Sequence, residues 1–367
     1  MSSAGPVLWV EPRLGTISGG LRYNQQLRAA LAARGVTVET LRLPPERFRN
    51  GSGQRTVEQA RARLAPALLV VDGLIGSAHP ELFEESLLSG QTVLLIHLPL
   101  AAALAAEGVG DPDAVTREKW AVLEADHVVT VSRWGAGELR RRYRRQNIAV
   151  AHPGSSVEVT PRSPDPSPNR TALRDNYTGF SHLHRHITRC LHEKEVYFVA
   201  AATLNPVKNH TLLGQALEPL LDLDWQLVLA GPGADSEFGQ QILRDLQGRL
   251  PGRVEHRGVL DSEQMGALWA EADLLLLPSL VETYGMVVTE ACAHGVPAFV
   301  SAGTGAEEAA GEAGIPLDPQ ESAAWTARLR RFLEEPEDRA ELRETALRRR
   351  RTLPTWEEAA QVFATLS

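Results

Sequence analysis

The sequence predicts an α/β protein of two Rossmann-like, doubly wound domains that face each other across a cleft. Three observations carry that expectation. Short apolar runs such as Ala67–Val71, Trp225–Ala230 and Leu274–Leu277 fit strands buried on both faces of a parallel sheet. Helix-length segments alternate with them, the pattern of βαβ units. The 367-residue chain has room for two domains, and its composition changes once near the middle, where Pro153 to Asn169 holds five prolines. The expected organisation is an amino-terminal domain over 1–152, a proline-rich linker and insertion over 153–194, a carboxyl-terminal domain over 195–352, and a final helix over 353–367 that crosses back.

Composition narrows the function classes. A hydrophobic content of 43% is that of a soluble globular protein, and a formal charge of −8 disfavours a nucleic-acid partner. The two cysteines, Cys190 and Cys292, fit a reducing, cytoplasmic setting rather than a disulfide scaffold. The opening MSSAGPVLWVEPRLG lacks the basic start of a secretory signal. No apolar stretch approaches the ~20 residues that span a bilayer, so membrane contact is expected to be peripheral and weak if it occurs.

In the first half, a strand over Gly5–Val10 leads through Ser18-Gly19-Gly20 to a helix over Leu21–Ala33 and a strand over Val36–Leu41. Strand, glycine turn, helix, strand is the mononucleotide-binding unit, in which glycine lets backbone approach a phosphate. A short Gly-Gly is also compatible with a plain tight turn. Ala67–Val71 is the next strand, Leu82–Leu88 reads as helical, and Thr92–Ile96 is a buried strand with His97 at its carboxyl end. There His97 either faces a ligand crevice or bonds a loop carbonyl. A helix over Asp113–Ala125 and a strand over His127–Val131 follow. The next helix carries Arg140, Arg141, Arg142, Arg144 and Arg145, read as a solvated face, with attraction to anionic lipid as the alternative. Ile148–Ala151 closes this half.

Between the halves, Thr171–Glu193 contains His182, His184, His186 and Cys190. All four are zinc-ligand types, but the paired spacings of a structural zinc site are missing. The segment is read as a surface insertion.

The second half alternates more cleanly. Strands are expected over Val196–Ala202, Trp225–Ala230 and Val254–His256, and helices over His210–Leu221, Glu237–Arg249 and Glu263–Ala270. Lys208 lies in the loop after the first strand, Gly231 and Gly233 in the turn after the second, and Val259 in the turn after the third. Then comes the most informative stretch, ADLLLLPSLVETYGMVVTEACAHGVPAFVS, from Ala272 to Ser301. Its strand leads to a loop holding Glu282. Gly285, Met286 and Val287 open a helix that carries Glu290 and stops at His294-Gly295. A second glycine turn, Gly303-Thr304-Gly305, follows the next strand. Helices over Glu321–Leu333, Pro336–Arg351 and Trp356–Leu366 end the chain, with Arg348–Arg351 read as solvated.

These groups converge at the carboxyl edge of one sheet, where open α/β sheets bind ligands. One lysine and two helix starts suit a diphosphate, because both offer positive potential. Glu290 suits a ribose, accepting from two hydroxyls, and Glu282 suits the hydroxyls of a further sugar. No Asp-x-Asp loop is present to hold a divalent ion against the diphosphate. A departing nucleoside diphosphate would be stabilised by Lys208 and backbone dipoles, so no metal and no cofactor are expected.

ATLNPVKNHTLL, the Glu282-x7-Glu290 stretch and SGGLRYNQQLRAALAARG together resemble the family-4 retaining glycosyltransferases of the GT-B fold. The likeness covers nearly the whole chain apart from Thr171–Glu193. It implies that Glu282 approaches the donor sugar and Glu290 holds the ribose. It implies that Gly285–Val287 contact sugar and phosphate through their backbone, and that Lys208 serves the diphosphate. By the same resemblance His97 contacts the donor sugar near the reacting carbon, and Gly20, with Gly19, belongs to the loop facing the diphosphate. Many members place an arginine five residues before the lysine, and here that position is Thr203. A hydroxyl can bond a phosphate oxygen but adds no charge, which leaves room for another cation such as Arg133.

The expected activity is transfer of a hexosyl unit from a UDP- or GDP-sugar, bound mainly on the carboxyl-terminal domain, to a glycan, lipid or small-molecule acceptor bound mainly on the amino-terminal one. With no covalent nucleophile evident, attack on the face that the diphosphate leaves is implied. The rival readings are a nucleotide-sugar-binding protein without turnover and a phosphorylase-like enzyme, which would need a cofactor lysine and a longer chain.

Overall fold

A computed structural model describes residues 5–15, 18–44, 46–49, 51–84, 90–155 and 195–366. The described strands form two six-stranded sheets, parallel throughout. The first takes β1 (Val7–Pro12), β2 (Val38–Leu43), β3 (Leu68–Asp72), β4 (Gln91–Ile96), β5 (His127–Thr130) and β6 (Ala149–Val150) in the order 2-1-3-4-5-6. The second takes β7 (Val196–Ala201), β8 (Trp225–Ala230), β9 (Val254–His256), β10 (Leu274–Leu277), β11 (Ala298–Ser301) and β12 (Gly314–Leu317) in the order 9-8-7-10-11-12. The strand order reverses between β1 and β3 in one sheet and between β7 and β10 in the other. Those switch points open the crevices in which doubly wound sheets take ligands.

The sheets form because their strands have no polar face to offer water. Leu8, Trp9 and Val10, Leu68 to Val71, Val93 to Ile96, Phe198 and Val199, and Leu274 to Leu277 are all buried. Helices must therefore cover both faces. One buried cluster begins at Val7, Trp9 and Leu27 under the first sheet and continues through Ala360 and Phe363 to Val288 and Cys292 under the second. The link is the last helix, Trp356–Ala364. Phe363 lies 5.9 Å from Trp9 and Trp356 lies 5.2 Å from Tyr23, ring centre to ring centre, and Arg34 bonds Glu357 and Gln361.

Several expectations need correction. Leu82–Leu88 is not a helix at its start. Pro80–Phe83 form one 3-10 turn, because Pro80 fixes a turn entry and Glu84 is already extended; 85–89 fall outside the described residues. The helices Ser52–Leu64 and Leu100–Glu107 were not anticipated. The first is weakly apolar and capped only by glycine; the second is too uniformly apolar to show a helical stripe. The helix from His210 stops at Leu217, where Pro219 turns the chain into a 3-10 segment. The arginine run is solvated as expected at Arg140, Arg141, Arg142 and Arg144, which are exposed, but two of its members also bond backbone. Arg140 bonds the carbonyls of Gln146 and Ile148, and Arg145 those of Val122, Leu123 and Asp126. Arg349, also expected to be solvated, bonds the carbonyls of Glu308 and Ala309. His182, His184, His186 and Cys190, with the rest of the Thr171–Glu193 segment read as a surface insertion and most of the Pro153–Asn169 linker, lie outside the described residues. Among the described residues no helix is long and apolar enough to cross a membrane.

Candidate active site

The carboxyl edge of the second sheet gathers most of the anticipated groups. After β7, Asn205 caps the turn that holds Lys208, its side chain accepting from the Lys208 amide at 3.1 Å. After β10, the loop Pro278–Tyr284 brings Glu282 to the same place. Lys208 Nζ donates to Glu282 Oε2 at 2.5 Å, and both side chains are partly exposed. The loop is pinned from behind, since the Gly305 amide donates to the Glu282 carbonyl at 2.7 Å. A Cβ on Gly305 would sit 1.7 Å from the Thr283 carbonyl oxygen. No other residue permits that approach, so the second glycine turn positions the Glu282 loop.

Gly285 then opens the helix Met286–Ala293 with φ +81, a left-handed entry that glycine makes without strain. A helix start leaves its first amides without intrahelical partners, and this one begins against Glu282, whose Cγ would meet a Cβ on Gly285 at 3.3 Å. Glu290 lies on the same helix, about one turn on. Its carboxylate is pushed up by burial and pulled back by Arg22, whose Nη2 donates to Glu290 Oε1 at 3.1 Å.

The neighbouring loops close the edge. Gly231 and Gly233 both have positive φ, and a Cβ on Gly231 would come within 2.2 Å of the Ala202 carbonyl oxygen. The Leu204 amide donates to the Pro232 carbonyl, and the Gly231 amide to the Gly258 carbonyl. Thr203 is exposed beside that turn, and Val259, 72% exposed, follows Gly258.

The facing edge belongs to the first sheet. His97 follows β4, and its Nε2 lies 2.9 Å from Asn24 Oδ1 and 3.4 Å from Asp72 Oδ2. Both are acceptors, so the proton of the ring sits on Nε2. Asn24 in turn donates to Asp72 Oδ2 at 2.7 Å, and the Leu74 amide donates to Asp72 Oδ1. Burial alone raises the Asp72 carboxyl, but the bonds from His97, Asn24 and Leu74 outweigh it and hold the group below the usual range. Tyr23 packs edge-on to the ring, with its hydroxyl donating to Ala151 at 2.8 Å. Gly20 touches the other side, where a Cβ would come within 2.9 Å of His97 Cδ2; Gly19 is open to solvent. The loop after His97 is fixed by buried Glu118, which accepts from the Leu100 and Ala101 amides and from Tyr143.

Sequence reasoning missed Asn24, Asp72, Glu118 and Arg22. The signal for Asn24 was a poor helix former inside an otherwise good helix. For Asp72 it was a carboxylate ending a wholly apolar strand, paired in register with Leu95 just before His97. Arg133, the cation considered in place of the missing arginine, is already occupied. Its Nε donates to Glu308 Oε1 at 3.0 Å and its amide to Glu308 Oε2 at 2.8 Å. Among the described residues no group of three or more histidine, cysteine, aspartate or glutamate side chains is placed to hold a metal ion.

Comparison with known proteins bears on what this edge is. Residues 189–349 match the family described as glycosyl transferases group 1. That stretch is less than half of the chain, and it holds Lys208, Glu282 and Glu290. The D-inositol 3-phosphate glycosyltransferase of Corynebacterium glutamicum (strain R) is 28% identical over 225 residues, 59% of this chain and 50% of that protein. Its namesake from Streptomyces avermitilis is 27% identical over 277 residues, 72% of this chain and 56% of that protein. The match thus spans about half the length of these curated relatives. Among solved structures, a sucrose-phosphate synthase from Thermosynechococcus elongatus superposes with a TM-score of 0.78 at 19% identity, over 99% of this chain and 98% of that one. HepE of Anabaena in complex with UDP-glucose superposes at 0.72 and 16% identity, over 98% and 99%. The fold is the two-domain GT-B arrangement, and Lys208, Glu282 and Glu290 lie in the half that is similar to the group 1 family.

Proposed function

We propose that the chain is a retaining glycosyltransferase that moves a hexosyl unit from a UDP- or GDP-sugar to a glycan, lipid or small-molecule acceptor without a metal ion. The observation that carries the reading is the contact of Lys208 with Glu282 at 2.5 Å, beside the Met286 helix start and Glu290. One ammonium, amide dipoles and two carboxylates are what a sugar joined to a nucleoside diphosphate requires. The group 1 match over this half and the nucleotide-sugar complex of a protein of similar fold support it.

In this reading Glu290 accepts from the ribose hydroxyls and Glu282 from the sugar. Lys208 and the Met286 and Val287 amides hold the diphosphate and stabilise the charge that develops as it leaves. His97, carried by the acceptor-binding half, comes near the donor sugar at the reacting carbon when the cleft closes, its ring orientation fixed by Asn24, Asp72 and Tyr23. Attack on the departing face preserves the anomeric configuration.

Lys208→Ala and Glu282→Ala test the assignment by sugar transfer: each should lose at least about a hundredfold in kcat/KM, and full activity in both would refute it. The anomeric proton coupling of the product reads retention, and unchanged rates in chelator read metal independence. The rival, a binding protein without turnover, is motivated by exposed Thr203 at the place of a cation; transfer or donor hydrolysis by purified protein rejects it.

A further inference from the structure

The contact of Arg22 with Glu290 was anticipated by nothing in the motifs. Arg22 lies in the first turn of the helix Gly19–Ala33 of the first half, and Glu290 on the helix Met286–Ala293 of the second. Their 3.1 Å contact therefore crosses the cleft. The guanidinium is half exposed and Glu290 only 21% exposed, so the arginine reaches down onto a carboxylate that needs a partner. Burial raises the Glu290 carboxyl, and Arg22 is the group that opposes the rise.

The same edge is short of positive charge. Lys208 is compensated by Glu282, Arg133 by Glu308, and Thr203 brings none. A nucleoside diphosphate arriving there carries about two negative charges that this lysine alone does not balance.

We propose that Arg22 is a transferable cation of the donor site: it pairs with Glu290 while the cleft is empty and moves to the diphosphate once the ribose takes Glu290. The inference rests on the donor-site reading given above. A diphosphate lies one ribose ring from the carboxylate that holds that ribose, within the swing of a long side chain whose backbone stays put. Arginine suits the exchange because its planar fork bonds carboxylate and phosphate oxygens equally well. The two halves would then stay linked through Arg22 before and after the donor arrives, since its helix and that of Glu290 belong to different halves. Gly20, the neighbour of this turn, already touches His97, so the movement of Arg22 and the placing of His97 share one helix start.

The exchange predicts opposite effects on a nucleoside and on its diphosphate. Calorimetric titration of UDP and GDP, with uridine and guanosine at millimolar concentration, into wild type, Arg22→Gln and Arg22→Lys tests it. In Arg22→Gln the diphosphate that wild type binds should weaken about tenfold, the loss of one charge-assisted contact. The matching nucleoside should bind as tightly or up to about fivefold more tightly, because its ribose no longer competes with a guanidinium. Arg22→Lys should recover part of the diphosphate affinity. Equal weakening of nucleoside and diphosphate, or no weakening of the diphosphate, overturns the inference while leaving the donor site intact. A wild type that binds neither diphosphate overturns the donor-site reading itself, and the role of Arg22 with it.

Discussion

The two sheet edges that face each other are built on opposite principles. On the first, His97, Asn24, Asp72 and Tyr23 form a closed set in which each polar group already has its partner inside the same half. On the second, Lys208, Glu282 and Glu290 stand in partly exposed loops and first turns, paired with each other or with Arg22 from across the cleft. A buried, satisfied network holds one side chain in one orientation. Partly exposed pairs between long side chains are weak and easily exchanged. One wall is therefore fixed before a ligand arrives, and the other is arranged to give its charges up to one.

The largest effect should come from upsetting the exchangeable wall at its backbone. Gly305→Ala places a methyl group 1.7 Å from the Thr283 carbonyl oxygen, so the Glu282 loop must move. Transfer should fall at least about a hundredfold, read as kcat/KM, while the far-ultraviolet circular dichroism stays that of the wild type.

The fixed wall should fail differently. Asp72→Ala leaves the side-chain amide of buried Asn24 and the Leu74 amide without their acceptor, which should cost about 1–3 kcal/mol of stability, read as a lower denaturation midpoint together with lower kcat. The Asp72 carboxyl is held below its ordinary value in the folded state, so it contributes stability above the unfolded pKa. That contribution is lost as pH falls through the folded value. Asp72→Asn should flatten this acid limb of the stability curve.

A third test concerns His210, buried just beyond Lys208 with its Nδ1 unpartnered. Burial, followed by the charges of Lys208 and His256, lowers its pKa to about 4. Between the ordinary value of 6.5 and about 4 the unfolded chain takes up a proton that the folded chain refuses. Stability should therefore fall across that window, by on the order of 3 kcal/mol at its acid end. His210→Leu should remove the slope while leaving UDP or GDP affinity within about twofold. A slope that survives the substitution would place the titrating group elsewhere.

The smallest effect belongs to Arg34. It ties the last helix to the first through Glu357 and Gln361 at the surface. Arg34→Ala should cost no more than about 1 kcal/mol, with transfer unchanged.

The same contrast explains what the sequence revealed. Strands were legible because Leu274–Leu277 or Leu68–Val71 are apolar on both faces, and only a helix-covered parallel sheet accommodates that. The second edge was legible because Glu282, Gly285 and Glu290 lie in one stretch between β10 and β11, and Lys208 and Gly305 stand in the loops directly after β7 and β11. The first edge was not, because its partners are assembled from three elements: Asn24 from a helix, Asp72 from the end of β3, His97 from the end of β4. No local pattern joins residues 24, 72 and 97. Arg22 was hidden for a further reason. On its own helix it is an exposed arginine like any other, and only the meeting of the two halves brings Glu290 to it. The helices Ser52–Leu64 and Leu100–Glu107 escaped because one is strongly polar, with Val57 its one large buried apolar side chain, and the other lacks a polar face.

The central claim is that Lys208, Glu282 and Glu290 form one site for a nucleotide-linked sugar. The most direct measurement is titration of UDP and GDP, then of the matching UDP- or GDP-hexose, into wild type, Lys208→Ala and Glu290→Ala. One diphosphate should bind the wild type and lose at least about tenfold in affinity in each variant, with Glu282→Ala weakening the nucleotide sugar more than the free diphosphate. Affinities unchanged by all three substitutions would place the donor elsewhere and contradict the account.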